Sequence, residues 1–435
     1  MTTSRRTFLR TASSAAAAAM LSDLLRAAPA GKKPPNVVLI ISDDHGWTDY
    51  GFMGHPTVRT PRLDKLATES LVFRRGYVPS PLCCPSLASM VTGLYPHQHK
   101  ITCNDPPNPG NKKAFADGRE VMTKHLEAVD TLPRLLGKLG YVSLQTGKWW
   151  QGHFSRGGFT QGMTQGQRHG DKGLDIGRKT MKPVFDFIDQ AQKDDKPFFV
   201  WYAPMMPHDP HTPPAELLEK YKAKTDSIHQ ARYWAMVEWF DQTCGQILDH
   251  LDKNKLADDT IVLYLADNGW TQNPESRGPL RSKLTPYDAG VRTPIMVRWP
   301  GKVAPKMSDE LATSIDLAPT ILAAVGQKPP AAMQGVNLMD DKATAGRKRV
   351  CGGSYIHTAR DLDDPAKNLV TRWIVEGKWK LIVPTRLGMD RGPIAPKQPE
   401  LYDILADPKE TKDLAAENAE VVKDLTAKLD AWWKP

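Results

Sequence analysis

At 435 residues, with 40% hydrophobic and 25% charged residues, the chain has the make-up of an ordinary globular protein and room for one large α/β domain plus a smaller one. Its formal charge of +9 comes without a basic, aromatic-interleaved patch, so nucleic acid is not an expected partner. Beyond the N-terminus no stretch approaches the ~20 apolar residues of a membrane span.

The chain opens with Ser4-Arg5-Arg6-Thr7-Phe8-Leu9-Arg10, an alanine-rich run to Leu25, and Ala28-Pro29-Ala30. Paired arginines, a moderately apolar middle and a small-x-small end make a twin-arginine export signal over residues 1–30. The mature protein is expected in the periplasm of a bacterium or outside it. Five cysteines (Cys83, Cys84, Cys103, Cys244, Cys351) are an odd count for an exported chain, which usually leaves one unpaired.

Residues 36–42, NVVLIIS, form a continuous apolar run of strand length, as expected of a parallel strand covered on both faces. The run delivers Asp43-Asp44-His45-Gly46. Adjacent carboxylates repel, and a divalent cation with oxygen ligands resolves that; the alternative is an ordinary Asp-Gly turn. Thr60 to Ala67 reads as a helix with a threonine cap and a proline start. Next comes Ser80-Pro81-Leu82-Cys83-Cys84-Pro85-Ser86-Leu87, with Pro85 placed to start a helix. A thiol at such a helix start is expected to be reactive and unburied.

Leu132 to Gly140 is a short helix, and Tyr141 to Thr146 a strand that delivers Gly147-Lys148-Trp149-Trp150. Gln151 to Arg178, rich in Gly, Gln and His, reads as an irregular rim. Lys196 to Ala203 is a buried strand ending in Pro207-His208-Asp209-Pro210-His211, and Tyr233 to Leu251 an amphipathic helix. Thr260 to Leu265 is a further buried strand, ending in Ala266-Asp267-Asn268-Gly269. Asn-Gly is a common hairpin turn, but with Asp43 and Asp44 the side chains of Asp267 and Asn268 complete an all-oxygen site for a hard cation. A strand from Ile295, a helix from Ser314, a hairpin turning near Gly377-Lys378, a short strand from Glu400 and a closing amphipathic helix follow.

The motifs resemble the sulfatase family in order and spacing from Val37 to about Leu414. Its signature is Cys (or Ser)-x-Pro-x-Arg followed by small and apolar residues and Thr-Gly. Cys83, Pro85, Ser86, Thr92 and Gly93 match, while Leu87 stands at the arginine. Gly147-Lys148-Trp149-Trp150 is similar to the family's Gly-Lys-Trp-His, with Trp150 at the histidine, and Lys283 falls on the second sulfate-binding lysine. The resemblance implies an alkaline-phosphatase-like, doubly wound, mostly parallel α/β domain (31–335) and a smaller C-terminal α+β domain (336–435).

It further implies hydrolysis of sulfate esters of a sulfated carbohydrate or aryl sulfate, with Ca2+ or Mg2+ on Asp43, Asp44, Cys83, Asp267 and Asn268. A maturation enzyme would convert Cys83 to formylglycine, whose hydrate attacks sulfur, and four cysteines with three possible pairings would then remain. Lys148 and Lys283 would bind the sulfate, Asp267 would help deprotonate the nucleophile, and His208 would protonate the leaving alcohol. His153 and His169 are the candidates to replace the missing histidine. A phosphate or phosphonate ester hydrolase on the same scaffold, or a catalytically silent binder of sulfated glycans, are the alternatives.

Overall fold

The computed structural model describes residues 33–390 and 394–435, so the expected export signal lies outside the described residues. The main sheet has eight strands in the order β4-β3-β5-β1-β6-β7-β2-β8. These are β1 (Asn36–Ser42), β2 (Leu71–Tyr77), β3 (Val142–Gly147), β4 (Gln161–Gly162), β5 (Phe198–Ala203), β6 (Thr260–Ala266), β7 (Ile295–Arg298) and β8 (Lys306–Thr313). Only β7 runs antiparallel to its neighbours, β6 and β2. The sheet is mostly parallel, as expected.

The unbroken apolar run of β1 has a direct cause. Val37, Leu39 and Ile41 point into one core with Trp201, Leu263 and Cys83, and Val38 and Ile40 into another with Tyr202, Phe240 and Tyr264. Both faces are dry, so no position tolerates a polar side chain. Burying each such residue is worth roughly 1.5–3 kcal/mol.

A second, antiparallel sheet has the order β12-β11-β10-β9: β9 (Arg349–Tyr355), β10 (Leu369–Glu376), β11 (Trp379–Pro384) and β12 (Glu400–Asp403). The turn between β10 and β11 falls at Gly377, whose φ of 60° suits glycine. The helix Ala419–Trp432 lays Leu425 and Leu429 on this sheet, in a core with Ile374, Leu381 and Leu401.

Two local expectations are corrected. The helix Pro61–Thr68 is capped not by the Thr60 hydroxyl but by Asp241 of the long helix Ile228–Lys253, whose carboxylate accepts from the amides of Arg62 and Leu63 at 2.7–3.1 Å. Cys83, Cys84, Cys244 and Cys351 are buried thiols outside any disulfide, so none of the three pairings forms. Among the described residues no helix is long and apolar enough to cross a membrane.

Candidate active site

Strands β3, β5, β1 and β6 are consecutive neighbours, and their carboxyl ends bring the candidate residues together. In open α/β sheets this edge is where ligands bind. The backbone stays paired just past the strands: Asp267 N donates to Ser42 O at 2.8 Å, Asp43 N to Met206 O at 2.9 Å, and Lys148 N to Ala203 O at 2.7 Å. Gly147 permits the last of these. Its φ is 74°, and a Cβ there would lie 1.9 Å from the Ala203 carbonyl oxygen.

The acidic cluster interlocks. Asp44, with φ of 56°, donates its amide to Asp267 Oδ1 at 3.1 Å, and Asn268 Nδ2 donates to Asp44 Oδ1 at 2.7 Å. Asp267 Oδ2 and Asn268 Oδ1 are buried without a hydrogen-bond partner. Ligand atoms of Asp43, Asp44, Cys83 and His208 lie within 4.8 Å of one another, which adds His208 to the residues expected around a cation. Burial and the neighbouring Asp43 charge push the Asp267 carboxyl well up. Orphan oxygens and a carboxyl short of positive charge fit a hard divalent cation with oxygen ligands.

Two lysines supply the positive charge. Lys148 Nζ lies 2.6 Å from Asp43 Oδ2, an ion pair off hydrogen-bond geometry, and Lys283 Nζ donates to Asp44 Oδ2 at 2.7 Å. Burial works against both charges, but Asp43 beside Lys148 and Asp44 beside Lys283 outweigh it, so both stay protonated. Lys283 also donates to His208 Nε2 at 3.2 Å. The Asp209 carbonyl accepts from His208 Nδ1, which leaves Nε2 as the lone pair. Burial, then Lys148, bring His208 down to about 4, a neutral imidazole.

Cys83 departs from expectation in two ways. The helix Cys83–Thr92 begins at Cys83 itself, with Pro85 at its third position, and the Asn104 side chain accepts the Cys84 amide at 2.9 Å. The thiol is 1% exposed, 3.9 Å from Asp43 Oδ1, and burial pushes it well above its ordinary range despite Lys148. The expected reactive, unburied thiol is therefore a buried, protonated one.

The two departures from the motifs have visible surroundings. Leu87 is 2% exposed and packs in the core that also holds Cys83 and Trp150. Trp150 has the guanidinium groups of Arg119 and Arg168 over its ring, at 5.2 and 5.1 Å. Arg119 also donates to Asn104 O at 2.7 Å and to Trp150 O, so it braces both the turn at Cys84 and the loop after Lys148. Sequence reasoning missed Arg119, which sits on the amphipathic helix Lys112–Glu127 with no motif around it.

Of the two candidate histidines only His169 reaches the site. Its ring meets Trp150 edge-on at 4.4 Å and lies 6.2 Å from the His208 ring. Arg168 donates to His169 Nε2 at 2.7 Å, and burial, then Lys148, lower it to about 2. His153 instead accepts from the amide of Ser155 at 3.3 Å and lies tilted against Phe154, ring centroids 4.1 Å apart.

This arrangement at the strand ends of a mostly parallel sheet defines the class, an α/β scaffold that sets two lysines against a buried acidic cluster. The chain belongs to the sulfatase family: the family's model matches residues 35–327, and a second model, N-sulphoglucosamine sulphohydrolase, C-terminal, matches 281–434. It is 30% identical to human N-acetylgalactosamine-6-sulfatase over 346 residues (69% of this chain, 64% of that protein). It is also 30% identical to human arylsulfatase A over 344 residues, covering 67% and 64%. The chain thus spans about 64% of the length of these relatives. Among solved structures, Ps i-CgsB in complex with k-i-k-neocarrahexaose shares the fold at a TM-score of 0.73 and 22% identity, covering 92% and 93%.

Proposed function

We propose that the chain hydrolyses sulfate esters of carbohydrates with a bound divalent cation. The observation that carries this reading is the convergence of Lys148 and Lys283 with Asp43, Asp44, Asp267 and Asn268 around Cys83 in one buried place. A sulfate monoester shields its sulfur with negative oxygens, and the site must neutralise them before any attack. Asp43, Asp44, Asp267 and Asn268 would hold calcium or magnesium, which when bound supplies Lewis-acid stabilisation. Cys83, converted to formylglycine by a maturation enzyme after export by the twin-arginine route, would supply a hydroxyl nucleophile at a position where its thiol is held protonated.

The chain's own residues have the following parts. Lys148 and Lys283 bind the sulfate oxygens as fixed charges. Asp267, beside the proposed cation, would accept the proton of the attacking hydroxyl in its carboxylate form. His208, its ring held at Nδ1 by the Asp209 carbonyl, would protonate the leaving oxygen from Nε2 with a proton taken up from solvent, while Lys283 keeps its own as the fixed charge. His169, with Nε2 occupied by Arg168, is a neutral hydrogen-bond group rather than a base. The relatives named N-acetylgalactosamine-6-sulfatase and arylsulfatase A support a sulfate ester as substrate.

A phosphate or phosphonate ester hydrolase using unmodified Cys83 is the weaker reading, because a buried, protonated thiol is a poor nucleophile. Mass spectrometry of the tryptic peptide from Gly76 to Lys100, on protein exported by its own route, decides between them. Conversion of cysteine to formylglycine lowers the mass by about 18 Da, sulfur being exchanged for oxygen with loss of two hydrogens. An unmodified Cys83, or turnover of 4-nitrophenyl phosphate but not of 4-nitrophenyl sulfate, would overturn the sulfatase reading.

A further inference from the structure

The loop that carries His208 runs on into a cavity of about 280 Å³, lined among others by Asp209, His211, Thr212, His229, Arg232 and Arg277. The two arginines come from different places: Arg232 from the helix Ile228–Lys253, Arg277 from the loop that leads to Lys283. Arg178, which reaches the same loop at Met205 O, His208 O and Thr212 Oγ1, is engaged, and so are arginines elsewhere in the chain. Arg62 pairs with Asp249, Arg156 with Glu120 and Glu127, and Arg168 with Asp105. Arg232 and Arg277 have neither an ion pair nor a hydrogen bond among the described residues. His211 adds a buried Nε2 that is also without a partner, and its ring lies 6.2 Å from that of Trp270. Trp270 in turn faces the Lys283 ammonium at 5.9 Å. The segment His208–His211 on one side, and the contacts from His211 through Trp270 to Lys283 on the other, join the lining of the cavity to the proposed sulfate site.

Two unpaired guanidinium groups in one concavity are the donor set for a planar or tetrahedral oxyanion, which arginine binds through paired N–H groups. The one acidic lining residue, Asp209, sits at the His208 end, where a carboxylate accepts from a sugar hydroxyl. We propose that this cavity is a second anion subsite, which takes a sulfate or carboxylate group carried elsewhere on the same saccharide whose ester sulfate lies between Lys148 and Lys283. The inference rests on the sulfatase reading and narrows it: the substrate is a saccharide with at least two anionic groups.

The test compares wild type with Arg232→Ala, Arg277→Ala and the double variant on 4-nitrophenyl sulfate, a monosulfated disaccharide, and a disulfated disaccharide of the same backbone. A fourth substrate, a monosulfated disaccharide carrying a uronic acid, separates carboxylate from sulfate. The ratio of kcat/KM for the doubly anionic substrate to that for 4-nitrophenyl sulfate is expected to fall about tenfold per arginine, as for loss of one charge-assisted contact. Lysine at either position is expected to restore part of it. An unchanged ratio, or equal losses on all substrates, overturns the subsite. If wild type cleaves none of the sulfates, the sulfatase reading alone fails, and calorimetry still decides the subsite. Tighter binding of the disulfated than of the monosulfated disaccharide, lost in the double variant, supports it; equal affinities overturn it.

Discussion

Arg119 shows how one residue answers for two substitutions in the family's motifs. Leu87 leaves the turn at Cys83 without the signature arginine, and Trp150 leaves the loop after Lys148 without its histidine. The Arg119 guanidinium packs on Trp150 and donates to Asn104 O, while Asn104 itself accepts the Cys84 amide. Arg119→Ala is expected to lower kcat on 4-nitrophenyl sulfate by about 10- to 100-fold, with a smaller change in KM, since a positioning residue acts on the nucleophile rather than on binding. Arg119→Lys recovers little, because a point charge replaces neither the fork nor the stack. Steady-state kinetics on the three proteins check this. At the proposed cation site, Asp267 Oδ2 and Asn268 Oδ1 are buried without a hydrogen-bond partner. Adding calcium or magnesium to chelator-treated protein is expected to raise stability by about 2.7 kcal/mol at a hundredfold excess over Kd, and Asp267→Ala to abolish the gain. Thermal melting reads this independently of turnover.

Between elements, the contact that matters most for function is a buried triad. Lys380 of β11 lies 2.8 Å from Asp288 Oδ1 and 3.0 Å from Glu410 Oε1, all three fully buried. Glu410 also accepts the Asp288 amide at 2.6 Å, so the small sheet fixes the segment five residues beyond Lys283. Lys380→Met would leave Glu410 without its counter-charge and Asp288 with only the Arg292 guanidinium at 3.4 Å, a loss of about 3–5 kcal/mol. Urea unfolding is expected to show that loss, and a raised KM for aryl sulfate would show Lys283 displaced. The same scale explains what was legible beforehand. Strands β1, β3, β5 and β6 announced themselves because both faces are covered; β1, β3 and β6 lead directly into Asp43, Lys148 and Asp267, and β5 into the loop that carries His208. Strand β8, KMSDELAT, exposes four of its first five positions and carries two acids, so it gave no apolar run. The helix Lys112–Glu127 hid for a similar reason, with its buried residues few and spaced by charges. Asp43, Asp44, Lys148, Asp267 and Asn268 could be read because a strand aims them. Arg119 could not, and His169 could be named but not told from His153, since their place depends on how distant segments fold over Trp150.

For the molecule as a whole, acid stability depends on which buried groups must change charge. His99 is buried, its Nδ1 accepting the Ile101 amide at 3.1 Å, so that Nε2 carries the hydrogen and donates to Ser89 Oγ at 3.0 Å. Protonation would set an N–H against an N–H. Burial accordingly lowers His99 from 6.5 to about 3, and His45, enclosed by Tyr50 and Phe240, likewise to about 3. Between those limits the unfolded chain binds more protons than the folded one, so stability rises with pH. The contribution of each histidine is complete above about pH 6.5 and is lost as pH falls toward 3. Asp49 acts in the opposite sense: burial raises its carboxyl from 3.8 to about 6, so its contribution is lost as pH rises through that value. The histidine effect can be isolated by substitution. His99→Gln keeps a donor and an acceptor but cannot take a proton, so its deficit relative to wild type should be largest at pH 7 and shrink steadily toward pH 4. Urea denaturation at half-unit intervals of pH reads the two slopes, and parallel curves would show that His99 does not control acid unfolding.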